Sequence, residues 1–399
     1  MRRGPREIDI VLLGGGHAHV FVLEAFGVSP IPGVRLTVVA KELAAPYSGM
    51  LPGFVAGHYP LEACLIDLVP LARFAGARLV HGSAIAIDRK ERSALVEGQP
   101  PIRYDLLSID VGITPDMSDI EGARDHAIAV KPVSVFAPKW QELEQRALGD
   151  DGPRRIAVVG GGAAGVELVL AARHRLRQLA ASRCLDREAF SFSLIAGGDV
   201  LPSHNGLARL LARRALARAG VEVLEGVSAT RIAPGRIRLS TGRELPADAV
   251  LVSTKATPPG WFAVTDLLRD ADGYLALRPT LQALNDDEIF AAGDCASVLD
   301  HPRAKAGVFA VRQGAVLADN LVRRVLGEAA RPFIPQRQFL TLVSLGEKRA
   351  IAARGPIAAA GRWAWVWKDR IDRAFMARFK ERVIERLKDR KLAEAQSGQ

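Results

Sequence analysis

Three glycine turns are the places where this sequence can do chemistry. Gly14-Gly15-Gly16-His17-Ala18-His19 follows the apolar run Ile8–Leu13, and Gly160-Gly161-Gly162-Ala163-Ala164-Gly165 follows Arg155–Val159. Each turn opens a helical pattern. In such a turn the first glycine permits the bend out of the strand and the second lets the backbone approach a pyrophosphate. The third lets the helix pack closely on the strand. The helix start adds free N–H groups and the positive end of its dipole, so the chemistry implied is the binding of a dinucleotide's phosphates. The second turn has the full spacing with Gly160, Gly162 and Gly165. In the first, Gly14 and Gly16 are followed by His19 where a third small residue is expected. A third turn, Gly293-Asp294, ends the apolar run 288–292 and is a further phosphate- or ribityl-type signal.

The elements that must position these turns form an internal repeat. Two strand–glycine turn–helix units stand a domain's length apart, too far for a solenoid, and predict two doubly wound α/β domains. Around the first unit lie an alternating strand at Val34–Ala40, a Pro/Gly-rich loop at 46–53, strands at 77–80 and 83–88, and a buried strand within 104–112 that ends at Gly112. Residues 139–153 read as a helix and linker. The second unit continues through strands at 192–196, 221–224 and 249–254. Runs at 339–345 and 350–353 then precede a tryptophan-rich segment and a long charged helix. The expected fold class is α/β, with two Rossmann-like dinucleotide-binding domains and a small C-terminal α+β region. The expected order is a first segment at 1–125, an inserted domain at 126–260, a return at 261–330, and a C-terminal region at 331–399.

Bulk properties exclude other classes. The chain has 399 residues, 49% hydrophobic and 25% charged, as in an ordinary globular protein. A net charge of +10 would suit nucleic acid or an anionic membrane, but the excess is spread along the chain and no nucleic-acid motif accompanies it. No nucleic-acid partner is expected. The three cysteines, Cys64, Cys184 and Cys295, are far apart, which argues for a reducing, cytoplasmic setting and against a metal site. The apolar run Ile8–Leu13 ends in glycines and reads as a buried strand, not a signal-peptide core.

Together these features resemble the two-dinucleotide-binding flavoproteins of the pyridine nucleotide–disulfide oxidoreductase fold, over nearly the whole chain. That resemblance implies FAD on Gly14 and Gly16, NADH or NADPH on Gly160, Gly162 and Gly165, and a flavin contact at Gly293 and Asp294. Within the fold the sequence resembles type II NADH dehydrogenase-like proteins, which pass electrons from NAD(P)H through FAD to a quinone. More narrowly, the segments 14–19, 46–53 and 363–379 resemble a subfamily sometimes fused to selenide, water dikinase, which implies a link to selenium metabolism. The resemblance makes Glu167 the glutamate near the nicotinamide. It also places Tyr47 and Pro52 beside the flavin ring and Arg312-Gln313 where relatives contact flavin or quinone; His17 and Gly112 are further candidate cofactor contacts, with catalysis as the other reading of His17 and His19. Each has a plainer reading: a first-turn acid favoured by the helix dipole, a histidine satisfying backbone, turn chemistry, a solvated helix face. Lys131-Pro132 also matches the family, without a defined role.

Departures from the pattern matter. The strand before the second crossover usually ends in an acidic residue for the adenosine ribose. Here the positions are Ala40 or Lys41 in the first module and Ala196 in the second, so NADH and NADPH stay open. Lys255 stands where relatives often have glycine. Two other readings share the fold: a sulfide:quinone oxidoreductase, which needs paired cysteines beside the flavin, and a flavin-bearing sensor or partner protein. In the tail, Trp367, Ile371, Phe375, Phe379, Val383 and Leu387 recur at four-residue steps, with Met376 and Ile384 alongside. Lys368, Arg370, Arg373, Arg378, Lys380 and Arg382 fill much of the remainder. Such a helix suits an anionic membrane surface on the inner face of the cell membrane, its own domain, or a twin subunit.

Overall fold

The computed structural model describes residues 7–397 apart from 187, 255, 304, 306 and 337. Lys255 therefore lies outside the described residues, as do the side chains of Arg382 and Ile384.

Strand β1 (Ile8–Leu13) leads through the first glycine turn into α1 (His17–Val28) and back to β2 (Val34–Ala40), which pairs parallel to β1. The loop that follows carries a one-turn helix, α2 (Leu51–Val55). Strand β3 (Arg78–His81) then adds beyond β2, and β4 (Leu106–Ile109) adds on the other side of β1, both parallel. All four residues of β4 are buried, as expected of a parallel strand covered on both faces.

The second sheet is entered through Ile128–Ala129 and helix α3 (Val133–Arg146). The sequence pattern predicts a helix from residue 139; the helix begins six residues earlier and keeps Pro138 inside. Strand β5 (Arg155–Val159), the second glycine turn and α4 (Ala163–Ser182) follow, then β6 (Ser191–Ala196), α5 (Gly206–Arg218), β7 (Val221–Glu225) and β8 (Ala249–Val252). These strands form a parallel sheet in the order 128–129, β8, β5, β6, β7.

The chain then returns to the first sheet. Strand β9 (Asp286–Ala291) pairs parallel with β4, and Leu275–Leu277, Gln282–Ala283 and Ala296–Val298 complete eight strands. Helix α6 (Gly307–Val325) packs on α1, where any side chain at Gly314 would meet the Phe21 ring at 2.6 Å. A three-stranded antiparallel sheet, β10 (Thr341–Leu345), β11 (Glu347–Arg354) and β12 (Ile357–Gly361), leads into α7 (Arg362–Ser397).

Helix α7 corrects the expectation of one apolar face from Trp367 to Leu387. Ala364, Met376, Phe379 and Val383 are buried and Phe375 and Leu387 are partly buried, whereas Trp363, Trp367 and Ile371 are exposed. At 3.6 residues per turn, each four-residue step rotates about 40° past a full turn, so a straight helix cannot keep five steps on one side. The C-terminal part docks on the first domain and the start leaves an apolar row in solvent. No helix among the described residues is long and apolar enough to cross a membrane.

Candidate active site between the two glycine turns

The two turns share one construction. Gly14 has φ +101° and Gly160 φ +131°, a region open to glycine. A Cβ on either would lie 2.2 Å from a carbonyl oxygen of the neighbouring strand's exit, Asp110 for the first turn and Ser253 for the second. Gly14 N donates to Val39 O and Gly160 N to Ile195 O, each at 2.8 Å.

They differ at the third small residue. A Cβ on Gly165 would stand 1.8 Å from Gly160 O, so the second turn admits only glycine there. In the first turn that carbonyl is a hydrogen-bond partner: His19 Nδ1 lies 2.7 Å from Gly14 O, and Nε2 lies 2.8 Å from Ser108 Oγ. The carbonyl can only accept, so Nδ1 carries the proton and Nε2 accepts from the serine hydroxyl. Burial pulls His19 down to about 4, and it stays neutral. His19 is a structural substitute for the glycine.

Around the first turn the structure gathers several predicted residues. Gln313 is buried and its Oε1 accepts from Gly293 N at 2.8 Å, fixing the turn that carries Asp294. Lys131 Nζ lies 3.1 Å from Asp294 Oδ2, which gives the Lys131-Pro132 segment a role: it ties the crossover to the Gly-Asp turn. His17 lies beside Asp294 and Lys131; burial pulls it down to about 4, and its Nε2 is covered without a partner among the described residues. Gly112 is exposed and a Cβ there would meet nothing within 4 Å. Asp110 is among the residues that the sequence alone does not single out. Asp110, at the exit of β4, accepts from Ala18 N at 2.7 Å and His19 N at 3.1 Å through Oδ2. Its signal was a carboxylate closing an apolar strand, a position where a charge needs partners.

A group of aromatic and charged side chains lies between the two turns. Tyr47 stacks on Phe375 with centroids 4.4 Å apart and lies 5.6 Å from the His17 ring, and burial together with the nearby Asp372 carboxylate pushes its hydroxyl well above the usual range. Asp372 is buried and sits 2.6 Å from Lys368 Nζ, which also donates to Gly49 O. Lys368 acts by its charge on Glu167, which is half-buried one turn into α4 and accepts the Ser344 amide at 2.7 Å. Burial pushes the Glu167 carboxyl up to about 7 against the pull of Lys368 and that amide. Pro52 is buried in α2 and supplies packing, beside Gly53, where a Cβ would strike Tyr59 at 2.2 Å. Arg312 Nη1 is covered without a partner among the described residues, and its guanidinium stands 5.8 Å from the Phe339 ring.

The residues fit two dinucleotides. The first turn offers a backbone cradle and an unpartnered buried His17 nitrogen. The second leaves Gly162 facing open space, with no side chain among the described residues accepting from the first amides of α4. At the β6 exit the chain runs Ala196-Gly197-Gly198, and the nearby carboxylates are engaged: Asp199 pairs with Arg209 and Arg213, and Glu225 holds Arg213 and the Val200 amide. The cysteines are free and separate. Burial pushes Cys64 up to about 12 and Cys295 higher, so both stay thiols.

Comparison with known proteins agrees with this architecture. The family model described as pyridine nucleotide-disulphide oxidoreductase matches residues 8–314. The NADH dehydrogenase-like protein YutJ of Bacillus subtilis is 23% identical over 374 residues, covering 90% of this chain and 98% of that protein. A type II NADH:quinone oxidoreductase of Haemophilus influenzae is 28% identical over 342 residues, 71% of this chain and 74% of that one. In fold the chain is similar to NDH2 of Plasmodium falciparum solved with NADH, with a TM-score of 0.80 at 13% identity over 93% of this chain and 97% of that one. It is also similar to the sulfide:quinone oxidoreductase of Aquifex aeolicus, with a TM-score of 0.78 at 17% identity over 94% and 92%.

Proposed function

The chain belongs to the pyridine nucleotide-disulphide oxidoreductase family, and we propose that it is an FAD-dependent NAD(P)H dehydrogenase whose electron acceptor is a quinone. Gly14, Gly16, His17, Gly112, Gly293, Asp294 and Gln313 would hold FAD, and Gly160, Gly162 and Gly165 the nicotinamide dinucleotide. When bound, the flavin supplies two-electron chemistry between a reduced nicotinamide and an acceptor. The protein's own residues align, shield and manage protons. Gln313 and Lys131 keep the Gly293-Asp294 turn in place from two sides.

The observation that carries this reading is the Glu167 carboxyl, fixed by the Ser344 amide within the influence of the Lys368–Asp372 pair. Reducing a quinone to a quinol consumes two protons, and a carboxyl held near neutrality both keeps and releases one. Ser344 fixes the carboxyl's direction, and the Lys368–Asp372 pair places a charge beside it without an unbalanced ion. The quinone reading draws further support from the relatives named for quinone reduction.

A quinone is dissolved in the membrane, and the start of α7 offers a surface for it. Trp363, Trp367 and Ile371 form an exposed row, with Arg362 and Arg370 exposed alongside. Amphipathic tryptophans with arginines fit an anionic interface, so peripheral attachment to the inner face of the cell membrane is part of the proposal.

The test is direct. The purified protein is expected to be yellow, to bleach anaerobically with NADH or NADPH, and to regain colour when a short-chain ubiquinone is added. Absence of flavin, or no bleaching by either nucleotide, overturns the enzyme reading; bleaching without reoxidation overturns the quinone.

A further inference from the structure

The two glycine turns are built alike, so their main difference is informative. Asp110 and Ser253 hold the same place: Asp110 N donates to Leu13 O and Ser253 N to Val159 O, each at 2.8 Å. Each carbonyl oxygen stands where a Cβ on Gly14 or Gly160 would fall. In the second turn the serine leaves the first amides of α4 open. In the first, the Asp110 carboxylate already occupies the start of α1, accepting from Ala18 N at 2.7 Å and His19 N at 3.1 Å. It fills the recess so closely that a Cβ on Gly16 would lie 2.3 Å from it, and one on Gly293 2.4 Å. Helix-start amides are the groups that bind a diphosphate. A carboxylate holds them first. The covered, unpartnered His17 Nε2 beside Asp294 and Lys131 is a second sign that a ligand belongs next to this turn.

We propose that Asp110 competes with the FAD pyrophosphate for the start of α1, and that it takes up one proton as FAD binds. The proposal rests on the assignment of FAD to the first turn. The proton comes from solvent and leaves with the flavin, so no redox step is involved. Once neutral, the carboxyl keeps an oxygen to accept an amide and gains an O–H that can donate to a phosphate oxygen. An ionised carboxylate at the same place repels the diphosphate across a dry recess.

Among the described acids and imidazoles that face the recess, Asp110 is the one held near neutrality. From α1, His17 and His19 are pulled down to about 4 by burial and stay neutral. From the turn after β9, the Cys295 thiol is pushed well above its usual range, and Asp294 pairs with Lys131 at 3.1 Å. Lys305, acting on Cys295 from the following loop, is lowered by burial. Asp110 itself is pushed up to about 7, first by burial and then by the charge of Asp294, against the pull of the two amides. A bound diphosphate raises it further. The folded protein with FAD then holds a proton that the flavin-free protein lacks above neutrality. Affinity is flat below about pH 7 and falls above it, toward about tenfold per pH unit for one proton.

The holoenzyme is diluted at constant ionic strength between about pH 6 and about pH 8.5, and the released FAD is read by its fluorescence. A Kd that weakens by about tenfold or more across the upper half of this range is expected. About one proton should be released per FAD at pH about 8 in lightly buffered solution with an indicator dye. Asp110→Asn keeps the side chain's shape and an amide acceptor. It should bind FAD about tenfold tighter than the wild type at the alkaline end, with no slope and no proton release. If that variant does not fold, Asp110→Ser, the residue of the second turn, takes its place, and the wild-type proton count stands alone. A flat wild-type Kd with no proton released, or a slope that survives in the variants, overturns the proposal. A purified chain that holds no FAD at any pH overturns instead the assignment of the first turn.

Discussion

The Glu167 carboxyl and the Ser344 amide meet at 2.7 Å, so β10 fixes the direction of an acid that α4 alone would leave free to swing. That carboxyl is pushed up to about 7 by burial, so it changes protonation where the enzyme would work. Glu167→Gln keeps the acceptor for Ser344 and removes the proton. Anaerobic bleaching by NADH or NADPH should stay within about threefold. Quinone turnover should fall on the order of 10²-fold, the scale of a lost general acid, with the limb of the pH–rate profile near 7 gone. Stopped-flow and steady-state pH profiles separate the two steps. A variant that keeps the wild-type limb removes Glu167 as the source of the proton.

Gly162 gives the cleanest test of the second turn because a Cβ there meets nothing within 4 Å. Gly162→Asp should therefore leave the fold intact while placing a negative charge at the start of α4, where phosphates bind. Melting temperature within about 2 °C of the wild type, full FAD content, and bleaching slowed by at least about 100-fold are expected, a loss of about 2.7 kcal/mol. Loss of FAD with bleaching preserved in the remaining holoenzyme would mean the two turns are assigned in reverse.

Both turns were legible in the sequence for a steric reason. Positive φ at Gly14 and Gly160, with a carbonyl where each Cβ would be, leaves glycine as the residue that fits, and glycine is visible in a string of letters. The irregular His19 was visible too, but its work was not. It replaces van der Waals contact with a hydrogen bond to the carbonyl that Gly165 avoids in the second turn. What stayed hidden depends on contacts between distant residues: Asp110 on the α1 amides, Lys131 on Asp294, Glu167 on Ser344. Periodicity reads one element at a time and carries no information on which element lies opposite. The four-residue spacing in α7 misled for a related reason, since drift in a helix appears only when the turns are counted.

The two halves of α7 should respond differently to substitution. Phe379 is buried against Phe21 and Phe375, with ring centroids 5.2 Å away in each case, and Arg378 beside it is clamped to Glu24. Phe379→Ala should destabilise by about 3 kcal/mol through lost burial and the cavity left behind. Replacing exposed Trp363 and Trp367 by serine should change stability by about 0.5 kcal/mol or less. The same double variant should lose at least about tenfold in binding to anionic phosphatidylglycerol vesicles if this row meets the membrane. Undiminished vesicle binding would assign attachment to another surface, and a shift from dimer to monomer would assign the row to a second copy of the chain.

His19 ties the first turn's stability to pH. Its folded value is pulled down from 6.5 to about 4 by burial, with Gly14 O opposing. The unfolded chain therefore binds a proton across that window and the folded chain does not. The stability contributed by neutral His19 is present above about 6.5 and is lost as pH falls toward 4. Between pH about 7 and about 5 this loss is about 2 kcal/mol. His17, lowered to about the same value, adds a parallel loss. His19→Gln can still meet Gly14 O and Ser108 Oγ but does not titrate. It should be less stable than the wild type at neutral pH by about 1–3 kcal/mol, because glutamine fills the imidazole's place imperfectly. That deficit should shrink by about 2 kcal/mol at pH about 5, where the wild type has lost its advantage. Urea unfolding of the flavin-saturated proteins at the two pH values measures this difference. A deficit that stays constant would show that the histidine charges in the folded protein as readily as in the unfolded one, contrary to its burial between Gly14 and Ser108.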